Sequence, residues 1–137
     1  MSVLITKSKE NTSAAQLLID GNHYTSSVHC SYYSCVQVMI HILLYDYGFT
    51  QGTLEIEANA KGSGSHVYAK NYLFKKMKDK NKKAIARDFY KEIGELKNKR
   101  EKADYEEETI SSDLSEEALA QSLRVNKILT NVFEIVL

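Results

Sequence analysis

Residues 83–105 read Lys-Ala-Ile-Ala-Arg-Asp-Phe-Tyr-Lys-Glu-Ile-Gly-Glu-Leu-Lys-Asn-Lys-Arg-Glu-Lys-Ala-Asp-Tyr. Ile85, Phe89, Ile93 and Leu96 recur at helical spacing, and the same stripe continues through Arg100 and Ala103. At about 100° per residue these positions share an arc of about 80°, with Arg100 inside it and Asp104 at its edge. The pattern predicts a long amphipathic helix over 83–105 and, with it, a helical protein. It also aims a guanidinium at a core or a subunit seam, which costs several kcal/mol unless the charge is paired. Asp104, four residues on, is within reach on the same helix.

The rest of the chain agrees with a helical class. It has 137 residues, no proline, six glycines and 26% charged residues, enough for one domain over 1–137 with a real core and unlike a sandwich or a disordered chain. Met1–Thr6 is only briefly apolar and carries no basic stretch, so no signal peptide is expected. The longest apolar run, Val36–Leu44, contains Gln37 and His41 and falls short of a membrane span. A cytoplasmic protein with no membrane association is expected. Cys30 and Cys35, about 140° apart on one predicted helix, read as small apolar residues and not as a disulfide or a metal pair.

Net charge is zero but unevenly placed. Residues 61–102 hold 14 Lys and Arg against 5 Asp and Glu, whereas 103–137 hold 2 against 8. A basic middle suits a phosphate-facing surface, or a solvated face that complements the acidic end across the fold or across a dimer.

Four further segments carry helical patterns. Helix one is predicted over about 8–20, with Ala14, Leu17 and Leu18 inward, stopping at Gly21-Asn22. Helix two is predicted over about 23–47, with Tyr24, Val28, Tyr32, Cys35, Met39 and Ile42 inward and Ser27, Ser31 and Ser34 small enough to admit a neighbour closely. The short gap between them implies an antiparallel hairpin. Residues 48–64, with four glycines, read as one long loop. Helix three follows over about 65–78, then the 83–105 helix, and a last helix runs from about Asp113 to the C-terminus with Asp113 and Glu116 at its start. The expected fold is an all-α antiparallel bundle of four to five helices.

Four motifs fall along this bundle: Gly21-x-x-Tyr24, Ser31-Tyr32-Tyr33-Ser34, Ser65-His66, and Arg100-x-x-Ala103-Asp104-Tyr105. In this order they resemble the HEPN family of helical bundles, over roughly residues 10–135. The resemblance implies homodimers with the Arg100 motif close to the dimer seam. Many members are metal-independent ribonucleases, often toxins paired with a minimal nucleotidyltransferase antitoxin. Their catalytic motif is Arg-x(4-6)-His. Arg100 matches the arginine, but the histidine window holds Tyr105, Glu106 and Glu107, and no histidine follows His66.

Metal-free RNA cleavage needs a group titrating near neutrality, which histidine supplies and arginine does not. The expected function is therefore a non-catalytic or degenerate HEPN-like dimer that binds RNA, a nucleotide or a partner protein. The expected binding residues are Arg100, Asp104, Tyr105, Tyr32 and Tyr33, the two tyrosines of helix two stacking on a base or bonding to the charged pair. One alternative is an active ribonuclease toxin in which His66, folded against Arg100, replaces the missing histidine. Another is a scaffold in which the Arg100–Asp104 pair only fixes dimer geometry. No cofactor or metal is expected, because His23, His29 and His41 do not converge on one face.

Overall fold

The computed structural model describes residues 2–136. These form an all-α bundle of six helices: α1 (Val3–Asp20), α2 (Tyr24–Asp46), α3 (Gln51–Ala60), α4 (Ser65–Asp79), α5 (Lys83–Tyr105) and α6 (Ser112–Val132). α2 lies at the centre and packs against α1, α4, α5 and α6, while α5 also meets α4 and α6.

α1 starts five residues earlier than its apolar spacing suggests, because Ser2 caps it by accepting the Ile5 N–H at 3.2 Å. Its buried residues are Ile5, Ser8, Ala15 and Ile19. The expected inward trio was misplaced: Leu17 is 70% exposed, and Ala14 and Leu18 are only half-buried. The inward face is partly polar, so the apolar pattern alone pointed to the wrong side. Asn22 turns the chain into α2 with φ 63°, a left-handed conformation that Asn tolerates better than most residues.

The α1–α2 seam is closed by short polar side chains. Ser8 donates to the Ser34 carbonyl at 2.7 Å, Ser27 donates to the Ala15 carbonyl at 2.8 Å, and Asn11 donates to Gln37 Oε1 at 2.9 Å. The Ser2 hydroxyl lies 2.7 Å from His41 Nδ1. Gln37 and His41, which interrupt the apolar run of α2, thus find their partners on α1. Ser27, Ser31 and Ser34 are buried as expected from their size.

The opposite faces of α2 bury Val28, Tyr32, Cys35, Met39 and Ile42 in the main core. α5 adds Ala86, Phe89, Ile93 and Leu96 and then Arg100; the stripe begins at Ala86, with Ile85 at the surface. α6 is capped by Ser111, which accepts the Leu114 N–H at 3.0 Å. It ends at Val132 rather than at the C-terminus, where Glu134 at φ 54° turns the chain; the last residue of that expectation lies outside the described residues.

The expected 48–64 loop contains α3, which makes six helices where four to five were expected. Thr50 and Thr53 form a reciprocal capping box, and Leu54 and Ala58, one turn apart, anchor the helix. With two anchors and Gly52 in its first turn, α3 shows almost no periodicity. Gly48 and Gly62, at φ 72° and 68°, turn the chain at either end. Among the described residues, no helix is long and apolar enough to cross a membrane.

The geometry of the α1–α2 seam sets a test. Ser27→Leu forces a branched side chain between two backbones in contact and should lower stability by about 1–3 kcal/mol. Leu17→Ala, at the surface, should change it by less than about 0.5 kcal/mol. Chemical denaturation midpoints compare the two, and a large loss at Leu17 would contradict the α1 face described here.

Candidate functional site

Arg100 sits where the apolar stripe of α5 runs out, 9% exposed. The stripe directs its side chain at α2, where Tyr32 and Tyr33 project from successive positions. The guanidinium carbon lies 5.0 Å from the Tyr32 ring centroid, 5.8 Å from Tyr33 and 5.8 Å from Tyr105. Rings at these distances hold a cation by their negative faces. The polar contacts are weaker: Nη1 reaches Asp104 Oδ2 and the Tyr105 hydroxyl, each at 3.5 Å, the outer limit for such a bond. The Nε atom is buried with no hydrogen-bond partner. Burial works against the guanidinium charge, but Tyr33, Tyr32, Tyr105 and Asp104 together hold its pKa above the ordinary value.

The expected Arg100–Asp104 pair is present but loose. Asp104 makes its closer contact elsewhere, with Oδ2 3.0 Å from His29 Nδ1 on α2. His29 in turn lies against Tyr33, ring centroids 4.6 Å apart. Sequence reasoning considered His29 only as a metal ligand and missed this role. The available signal was its place one turn before Tyr33 on a face already carrying candidate residues.

His66, in the first turn of α4, joins the same cluster. Its Nδ1 lies 3.3 Å from the Tyr32 hydroxyl, and its ring is 5.8 Å from Tyr32 and 5.5 Å from Tyr33. Burial, then the charges of Arg100 and Lys97, hold the His66 pKa below 6.5, so the imidazole is neutral near pH 7. Burial pushes the Tyr32 phenol up to about 12 despite Arg100 nearby, so it stays protonated.

All six candidate residues (Arg100, Asp104, Tyr105, Tyr32, Tyr33 and His66) therefore meet in one place, brought there by α2, α4 and α5. Chemically the place offers a permanent cation with donors to spare, two imidazoles, and phenols that donate or stack. Tyr105, at the end of α5 and 76% exposed, covers the guanidinium from the solvent side. Cys35 is buried, its thiol pushed up to about 12 by burial, and donates to the Ser122 carbonyl at 3.4 Å.

No protein-family model, curated protein or solved structure matches the chain. The likeness to the HEPN family rests on the motif residues alone.

The depressed His66 pKa sets a pH dependence. The unfolded chain takes up the His66 proton near pH 6.5 and the folded chain only below that, so stability is full above about pH 6.5 and declines as pH falls toward the folded pKa. His41, also depressed by burial, contributes in the same direction. Thermal midpoints measured from about pH 7.5 to about pH 5 should fall, and His66→Gln should flatten the fall. An unchanged pH profile in that variant would contradict a neutral buried His66.

Proposed function

We propose that this chain is a HEPN-like dimeric binding module whose Arg100 cluster holds a phosphate-bearing ligand, RNA or a nucleotide. The observation that carries the reading is the under-satisfied guanidinium: buried, with Nε unpartnered and its two hydrogen bonds at 3.5 Å. Leaving a buried donor without an acceptor costs about 1–3 kcal/mol, more where it is charged. A phosphate accepts two parallel N–H bonds from a guanidinium and relieves that cost. Tyr32 and Tyr33 hold the fork in place, Asp104 offsets part of its positive field, and the Tyr105 side chain swings aside on the exposed helix end to admit the ligand. In the dimer this reading supports, the Arg100 clusters of two copies flank one seam. A small nucleotidyltransferase is the partner protein that the resemblance suggests.

A second reading has its own support. His66 beside Arg100, and His29 held by Asp104, give the site the imidazoles that the motif lacks. In an RNA-cleaving site one imidazole takes the 2′-hydroxyl proton as that oxygen attacks the adjacent phosphorus. The other imidazole protonates the departing 5′-oxygen, leaving a 2′,3′-cyclic phosphate, while Arg100 stabilises the charged intermediate. The alternative of a scaffold is the weaker one, since a well-packed apolar residue serves a purely structural role as well as this poorly paired arginine.

Titration of labelled RNA and nucleotides in the presence of a chelator separates these readings. Arg100→Ala should weaken binding roughly 10- to 100-fold, as expected for losing hydrogen bonds to a charged group, and Arg100→Lys should restore only part of it. Unchanged affinity in Arg100→Ala would sink the binding reading. Steady cleavage lost in both Arg100→Ala and His66→Ala would replace it with the ribonuclease. Sedimentation should show a dimer.

A further inference from the structure

α4 presents a second chemically distinct face. Tyr68, two residues beyond His66, lies about 200° round the helix from it, and with Tyr72 it faces away from the Arg100 cluster toward Tyr47 and Phe49. The Tyr68 and Tyr72 rings are 6.1 Å apart at 32°, and Phe49 braces both edge-on, at 6.1 and 5.2 Å. Tyr47 meets Tyr72 edge-on at 5.3 Å. Tyr68 and Tyr72 line an open groove of about 500 Å³, together with Lys61, Lys75 and Lys76. The Lys76 ammonium stands 5.3 Å from the ring centroids of both Tyr47 and Tyr72. Among the described residues, none of Lys61, Lys75 and Lys76 has a carboxylate within ion-pair distance. Residues 61–83 carry eight lysines against a single aspartate, Asp79.

We propose that this groove binds single-stranded RNA, with Tyr68 and Tyr72 as stacking platforms for bases and Lys61, Lys75 and Lys76 along the phosphates. Lysines without an ion-pair partner would suit any polyanion, although Glu57 and Asp79 lie near enough to act on the Tyr68 and Tyr47 phenols; an acidic peptide has no use for two neighbouring rings braced edge-on by Phe49. Successive flat bases on a negatively charged backbone match both features at once. Duplexes are disfavoured because their bases are already stacked. Ser63 and Asn71, which complete the lining, supply the donors and acceptors that a 2′-hydroxyl can use. The inference goes beyond the Arg100 reading and does not rest on it.

Fluorescence anisotropy with a labelled uridine-rich single strand tests it on the full chain. Tyr68→Ala and Tyr72→Ala should each weaken binding roughly 5- to 100-fold, the range for losing one stacked base. Tyr72→Phe should bind like the wild type, since stacking needs the ring and not the hydroxyl. Lys75→Gln should reduce the slope of log K against log salt by about 0.7. Lys75→Glu, at an exposed position, should weaken binding even if an alanine variant proves too unstable to measure. DNA of the same sequence and double-stranded RNA should bind less tightly. Wild-type affinity in the tyrosine variants, equal binding of the DNA strand, or equal competition by polyglutamate would each overturn the proposal. So would loss of binding in Arg100→Ala with none in Tyr72→Ala, which would put the RNA contact at the other site. A change of oligomeric state in Tyr68→Ala without a change in RNA affinity would make the face a contact between copies and overturn it too.

Discussion

One helix serving four neighbours is the constraint from which the rest of this structure follows. α2 meets α1, α4, α5 and α6, so nearly every side of it is inside. An ordinary amphipathic helix buries one stripe and leaves the remainder to water. α2 instead divides its circumference by size, with Val28, Tyr32, Cys35, Met39 and Ile42 toward the core and a row of serines, Ser27, Ser31 and Ser34, along the side where α1 and α6 come closest. The serines are there because two backbones approach closely, and each hydroxyl that donates to a carbonyl removes the penalty of burying it. The same demand puts Cys35, Ser122 and Asn126 together at the α2–α6 contact. Cys35 donates to the Ser122 carbonyl at 3.4 Å, and Asn126 donates to Ser34 Oγ, also at 3.4 Å.

The candidate site is a consequence of that arrangement. Where α5 crosses α2, its stripe has used its aliphatic residues and presents Arg100, while α2 presents adjacent tyrosines. α4 enters at its first turn and adds His66. Three helices that pack for hydrophobic reasons thus converge their polar ends on one spot. None of the individual interactions there is strong.

Legibility followed the period of the pattern. α5 was readable to its ends because its apolar residues keep helical spacing and its charges, Arg100 excepted, lie off that stripe. The extents of α2 and α4 were readable from their apolar spacing, and Tyr32 and Tyr33 of α2 from their place among the motifs. α1 defeated the reading because its inward face includes Ser8 and Ala15, which a hydropathy pattern does not distinguish from surface. α3 defeated it because two anchors are too few to make a period, and its capping box of two threonines lacks the usual glutamate or glutamine. Within the site, Arg100, Asp104, Tyr105, Tyr32, Tyr33 and His66 were visible as residues out of place or in a family order. His29 was not, since its partner Asp104 is 75 residues away in the chain. A contact of that length is set by helix packing, and no local spacing announces it.

The balance of terms at Arg100 bears on why the residue is there at all. Each ring contact with a desolvated guanidinium contributes about 0.5–2 kcal/mol, and the two long hydrogen bonds add little. Against them stands a desolvation penalty of several kcal/mol for a poorly paired charge. Asp104 would offset more of it if it faced Arg100 squarely, yet its closer contact, at 3.0 Å, is to His29. Burial of His66 beside the same cation keeps its imidazole out of the charged form. A site that leaves a cation under-compensated and an imidazole neutral is poorly arranged for stability. It is well arranged to receive an anion, which would complete the guanidinium's hydrogen bonds and stabilise a proton on the neighbouring imidazole. A coupling of that kind, in which a bound anion raised the imidazole's affinity for a proton, would distinguish the proposed binding site from a merely strained core.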